Sequence, residues 1–118
     1  MSRKTRYTIT FDYDVFNKLE TYAKMNNMTI NRVIRDILRN VTNDEYVKAN
    51  EYCGKIAKRN LVDRKIFTVV FNIKTDIRTL SYLETATNVS CLVDTVISYF
   101  FNGEHELKAY VIKDDSIF

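Results

Sequence analysis

Residues 6–11 read Arg6-Tyr7-Thr8-Ile9-Thr10-Phe11, and residues 67–72 read Phe67-Thr68-Val69-Val70-Phe71-Asn72. In the first stretch Tyr7, Ile9 and Phe11 alternate with Arg6, Thr8 and Thr10. In the second, Phe67, Val69 and Phe71 alternate with Thr68, Val70 and Asn72, with Ile73 as a candidate continuation. A period of two in aromatic and β-branched residues marks a strand with one buried face. The first strand has no hairpin neighbour in sequence, so its partner must come from elsewhere. Phe11 and Phe71 stand 60 positions apart, and the elements that follow them come in the same order.

After the first strand, Asp12 or Asp14 can cap a helix whose stripe is Val15, Phe16, Leu19, Tyr22 and Ala23. Asn26-Asn27 breaks it, and Asn27 suits the left-handed residue that ends helices. Thr29 reads as the N-cap of a second helix, with Ile30, Val33, Ile34, Ile37, Leu38 and Val41 on one face and Arg32, Arg35 and Arg39 on the other. After the second strand, Thr75 can cap a helix carrying Ile77, Leu80, Leu83 and Ala86. Asn88 is matched to Asn27, and a last helix carries Leu92, Val93, Val96, Ile97 and Phe100 before Asn102-Gly103. Leu19 pairs best with Leu80 and Ile34 with Val93, so one unit is expected to have a longer strand-to-helix join and a shorter turn than the other. Between the units, residues 43–60 are loosely helical in spacing, with Gly54 costing such a helix about 1 kcal/mol relative to alanine. The tail carries Leu107, Tyr110, Val111 and Ile112 and reads as a strand or a docking segment.

Composition agrees with a small helical fold. The chain has 118 residues, 46% of them apolar, with no proline and two glycines, which leaves too few turn formers for a loop-rich β-sandwich. The net charge of +3 and pI near 8.8 are only mildly basic. Position says more than the total. Arg3, Lys4 and Arg6 crowd the start, Lys55, Lys58, Arg59, Arg64 and Lys65 the middle, and Glu104, Glu106, Asp114 and Asp115 the acidic tail. Cys53 and Cys91 do not make a disulfide framework and read as buried free thiols in a reducing cytoplasm. No apolar run approaches the roughly 20 residues that span a bilayer. His105 is the only histidine. No zinc spacing, glycine-rich phosphate loop or nucleophile–base pair stands out, so neither a cofactor, a metal nor catalysis is expected.

Residues 6–41 resemble the ribbon-helix-helix DNA-binding family, as in the Arc and MetJ repressors. The alternating Tyr7-Thr8-Ile9-Thr10-Phe11 carries the likeness, with the stretch from Ala23 through Asn27, Thr29, Asn31, Val33, Ile34 and Arg35 to Leu38. That stretch is similar to the family's A-x-x-x-G-x-S-x-S-x-[LV]-I-R pattern. Asn27 stands where the family has glycine and Asp12 where it has proline. Residues 67–101 match in outline. The resemblance implies a mainly α fold with a small antiparallel β-ribbon, in which two ribbon-helix-helix units form an intramolecular pseudo-dimer. The organisation expected is a first unit over residues 1–42, a helical connector over 43–64, a second unit over 65–103 and a tail over 104–118.

The resemblance also implies the function: sequence-specific binding of double-stranded DNA, with the ribbon in the major groove and transcriptional repression as the role. Bases would be read from the outward strand positions Arg6, Thr8, Thr10, Thr68, Val70 and Asn72. Phosphates would meet the N-terminal turns of the second helices, at Thr29, Asn31 and Arg32 in one unit and Ser90 in the other. They would also meet the basic pairs before each strand, Arg3 and Lys4, Arg64 and Lys65. Self-association on DNA is implied by analogy. Arg32, Arg35 and Arg39 have no counterpart in the second unit, where Cys91, Asp94 and Ser98 stand instead, so one half is more basic. Either that half grips DNA harder, or the less basic half meets a protein. Two alternatives stay open: an antitoxin-like or inhibitor module acting through its tail, and a plasmid partition or relaxosome accessory protein.

Overall fold

The computed structural model describes residues 4–59, 63–102 and 110–112. The chain runs β1 (Lys4–Asp12), α1 (Tyr13–Met25), α2 (Ile30–Asn40), α3 (Asn43–Gly54), β2 (Ile56–Arg59), β3 (Arg64–Asn72), α4 (Ile77–Glu84), α5 (Val89–Asn102) and β4 (Tyr110–Ile112). The protein is thus mainly helical with a small antiparallel ribbon. The partner that β1 requires is β3, and the two strands pair antiparallel with Thr8 opposite Thr68. Their hydroxyls lie 3.2 Å apart. A two-stranded ribbon is marginal alone and needs its apolar face covered. Here Ile9, Phe11, Val69 and Phe71 are wholly buried beneath the helices, among Leu19, Ile34, Leu38, Leu83, Leu92 and Ile97. Tyr7 meets Phe71 edge-on, and Phe16 bridges Phe11 and Phe67.

The helix boundaries follow from local chemistry. Asp12 caps α1 by accepting from Asp14 N–H. The end of α1 is a Schellman motif, in which Met28 N–H reaches Ala23 C=O at 2.9 Å and Asn27 N–H reaches Lys24 C=O at 3.3 Å. Asn27 holds φ 54°, as the sequence suggests. Thr29 caps α2 through Arg32 N–H, and Thr42 caps α3 through Glu45 N–H.

Several expectations are corrected. Asn88 is not a second Asn27: it is the residue before α5, and its side chain accepts from Cys91 N–H, the role Thr29 plays for α2. The turns between paired helices are equal in length, residues 26–29 and 85–88. The shortening falls in α4, which has 8 residues against 13 in α1. The two strand-to-helix joins differ as expected, the longer being in the second unit. Thr75 does not cap α4: Asp76 holds that position, and its carboxylate is used elsewhere. Ile77, expected in the apolar stripe, is exposed. The connector helix stops at Gly54, where glycine ends rather than interrupts it, and Ile56–Arg59 form a strand paired with β4. Residues 104–109 and 113–118 of the tail lie outside the described residues. Cys53 and Cys91 are buried thiols that form no disulfide, and both lie against the Thr95 hydroxyl.

The left-handed Asn27 generates a test. Asn27→Gly should hold or raise stability, whereas Asn27→Val should lower it by about 1–2 kcal/mol, read as the urea midpoint at unchanged m-value.

Candidate nucleic-acid interface

Strand alternation sets two faces on the ribbon. The face turned from the helices carries Lys4, Arg6, Thr8, Thr10 and Asp12 from β1, each opposite one of Asn72, Val70, Thr68, Ile66 and Arg64 from β3. All six expected base-reading residues therefore share one surface. Lys4, Arg6, Arg64, Ile66 and Thr68 are exposed on it, while Thr10, Val70 and Asn72 are half-buried. Lys4 and Arg64 sit within the strands rather than before them, at opposite ends of the ribbon. Lys65 departs from the expectation. It belongs to the helix-side register, opposite Phe11, and its ammonium lies 5.8 Å from the centre of the Phe16 ring. Arg3 lies outside the described residues.

A two-stranded ribbon has two edges with unpaired backbone groups. The second residues of α2 and α5 each tie one edge. The Asn31 side chain of α2 accepts from Val70 N–H at 2.8 Å and donates to Val70 C=O at 3.1 Å. The Ser90 hydroxyl of α5 accepts from Thr10 N–H and donates to Thr8 C=O, both at 3.3 Å. These two residues, expected at phosphates, have their side chains committed to holding the helix N-termini against the ribbon. Thr29 is committed to its cap. Each of these helix starts, with its positive dipole end, therefore stands beside a ribbon edge.

The ends of the strands are tied as well. On one side Asp94 of α5 accepts from Asp12 N–H at 3.3 Å. On the other, Asp76 accepts from Asn72 N–H at 2.8 Å, and its carboxylate also takes Arg35 Nε at 2.8 Å and Arg39 Nε at 2.7 Å. Asp76 is 1% exposed. Burial alone would raise its carboxyl, but the Asn72 N–H and the Arg39 and Arg35 guanidiniums outweigh burial and hold it below the ordinary carboxylate value. The second-helix arginines are thus mostly structural. Arg35 and Arg39 neutralise Asp76, and Arg39 also lies 3.7 Å from Asp36. Arg32 is 68% exposed, with Asp36 at 3.8 Å. The charge contrast read along the helices is therefore largely spent internally. Asn72 too is partly occupied, since its Oδ1 accepts from Lys74 and Thr75 N–H.

One cleft of about 310 Å³ opens at the end of the ribbon beside α2, bordered by Lys4, Arg6, Asn31, Arg35, Val70, Phe71 and Asn72. It is rich in cationic and amide groups. Sequence pattern alone does not single out Ile66, 63% exposed on the outward face, because the basic pair Arg64-Lys65 reads as preceding the strand. The parity with Thr68 is the available signal. Nor is Asp76 singled out, since no local pattern reveals it.

No group of three or more His, Cys, Asp or Glu among the described residues is placed to hold a metal ion, and no described helix is long and apolar enough to cross a membrane. No protein-family model matches the chain, and no curated protein or solved structure is detectably similar to it.

Asp76 carries a prediction of stability and pH. Asp76→Ala strands two guanidiniums and a strand-end N–H, and should cost about 3 kcal/mol in chemical denaturation. A carboxyl lower in the fold than in the unfolded chain stabilises above the unfolded value of about 4, and that contribution drains as pH falls through the folded value. Wild type should therefore lose its advantage over Asp76→Asn below about pH 4. A constant gap from pH 7 to pH 2 would contradict the ion-pair account.

Proposed function

We propose that the protein binds double-stranded DNA in a sequence-specific way, laying the outward face of the β1–β3 ribbon in the major groove as an intramolecular ribbon-helix-helix pseudo-dimer. The observation that carries this reading is the ribbon's exposed face itself. It joins lysine and arginine to threonine and valine on a two-stranded surface whose opposite side is buried in the core. A two-stranded ribbon fits the major groove. Arginine there suits guanine, threonine and valine methyls suit thymine, and basic residues at both ends suit the flanking phosphates.

Internal equivalence supports the pseudo-dimer. Positions in β1 and β3 related by 60 residues exchange across the Thr8–Thr68 centre. Thr29 and Asn88 cap the equivalent helices, Asn31 and Ser90 tie the equivalent edges, and Asp94 answers to the Arg35–Asp76 pair at the strand ends. In this reading the protein acts by occupying a defined duplex site, as a transcriptional repressor does.

A second reading, a protein-interaction module, draws on one feature. Tyr22 and Phe100 meet edge-on with centroids 6.1 Å apart, and both are exposed at the end of α5 remote from the ribbon, near the 81% exposed Met25.

The two readings predict different mutants. On a duplex pool, wild-type affinity should fall steeply with salt, with a slope of about −0.9 per neutralised phosphate. Lys4→Ala should weaken all duplexes alike and reduce that slope by about 1. Arg6→Ala should cost about 1–3 kcal/mol on the preferred sequence and relax its preference. Phe100→Ala should leave duplex binding unchanged. Salt-independent or absent binding by fluorescence anisotropy would discard the DNA reading.

A further inference from the structure

Antiparallel pairing regroups the outward residues. Each end of the ribbon is built from the start of one strand and the finish of the other. At one end Lys4 faces Asn72 and Arg6 faces Val70. At the other, Arg64 faces Asp12 and Ile66 faces Thr10. Positions related by 60 residues occupy equivalent places in the two ends, so Ile66 stands where Arg6 stands and Asp12 where Asn72 stands.

The ends differ in chemistry. The Arg6 end offers two cations and no anion, and it opens into the cleft bordered by Asn31 and Arg35. On the outward row the Ile66 end places one cation, Arg64, opposite the Asp12 carboxylate. An isoleucine 63% exposed at the equivalent of an arginine cannot hydrogen-bond a base edge, but it can contact a methyl group. Its strand neighbour across the ribbon, Thr10, also carries a methyl.

We infer that the DNA site is not an inverted repeat: the Arg6 end reads a guanine-containing half-site and the Ile66 end a thymine-methyl half-site, with Ile66 a specificity-determining residue. This rests on the duplex-binding reading above. The protein then binds its duplex in one orientation, with the more cationic end on the guanine side. Orientation is thus written into one chain, as two identical subunits cannot write it.

The test is in-vitro selection of duplexes by the full chain at physiological salt, for wild type and Ile66→Arg. Wild type should enrich an asymmetric site with guanine in one half and thymine in the other. Ile66→Arg should enrich guanine in both halves, moving the site towards an inverted repeat. On the wild-type site, replacing the thymines of one half by deoxyuridine removes only methyl groups. It should weaken wild type about fourfold per contacted methyl and weaken Ile66→Ala less, because Thr10 and the alanine methyl remain. An inverted-repeat consensus for wild type, or an Ile66→Arg consensus equal to that of wild type, would overturn the inference while leaving duplex binding intact. Failure to enrich any duplex would remove the duplex-binding reading and the inference with it.

Discussion

The pairing of β1 with β3 is the constraint on which the rest depends. A strand with no hairpin neighbour must find its hydrogen bonds far along the chain, and here 60 residues separate Thr8 from its partner Thr68. Closing so long a loop adds only a slowly growing entropic cost, but two strands by themselves are marginal. The ribbon persists because Ile9, Phe11, Val69 and Phe71 are buried together and because helices from both halves of the chain tie its edges. Asn31 on α2 holds β3, and Ser90 on α5 holds β1. The second helix of each half thus serves the strand of the other half. Neither half completes its own edge.

This crossing leaves one ribbon face uncovered by the helices. The inward face is consumed by the core and the edges by the helix N-termini. What remains is the outward row from Lys4 to Asp12 and from Arg64 to Asn72. The same economy explains the arginines. A helix carrying Arg35 where its counterpart carries Asp94 has no carboxylate of its own for the strand end, and Asp76 supplies one. Asp76 reaches that place because four residues separate β3 from α4, whereas α1 follows β1 directly. The longer join of the second half thus has a structural purpose.

Much of this was legible in local patterns. The alternation of Tyr7, Ile9 and Phe11, the stripes of α1 and α2, the left-handed Asn27 and the Thr29 cap are encoded within a few residues of where they act. Local pattern failed where a partner lies far off. Nothing near Arg35 and Arg39 announces Asp76, and nothing near Asn31 announces the backbone of Val70. The basic run Arg64-Lys65 masked the true start of β3, and with it Ile66. Gly54 looked like a defect inside a helix because the strand that begins at Ile56 finds its partner only at β4. The outward face was readable as a set of residues, but its division into two unlike ends depends on register, which pairing alone defines.

The most direct test of the central claim is a methyl and amide chemical-shift map of the protein titrated with a selected duplex. The account predicts that shifts concentrate at Arg6, Thr8, Thr10, Ile66, Thr68 and Val70 and in the first turns of α2 and α5, with Tyr22, Met25 and Phe100 unmoved. Shifts centred on Tyr22 and Phe100 with the ribbon unchanged would contradict it.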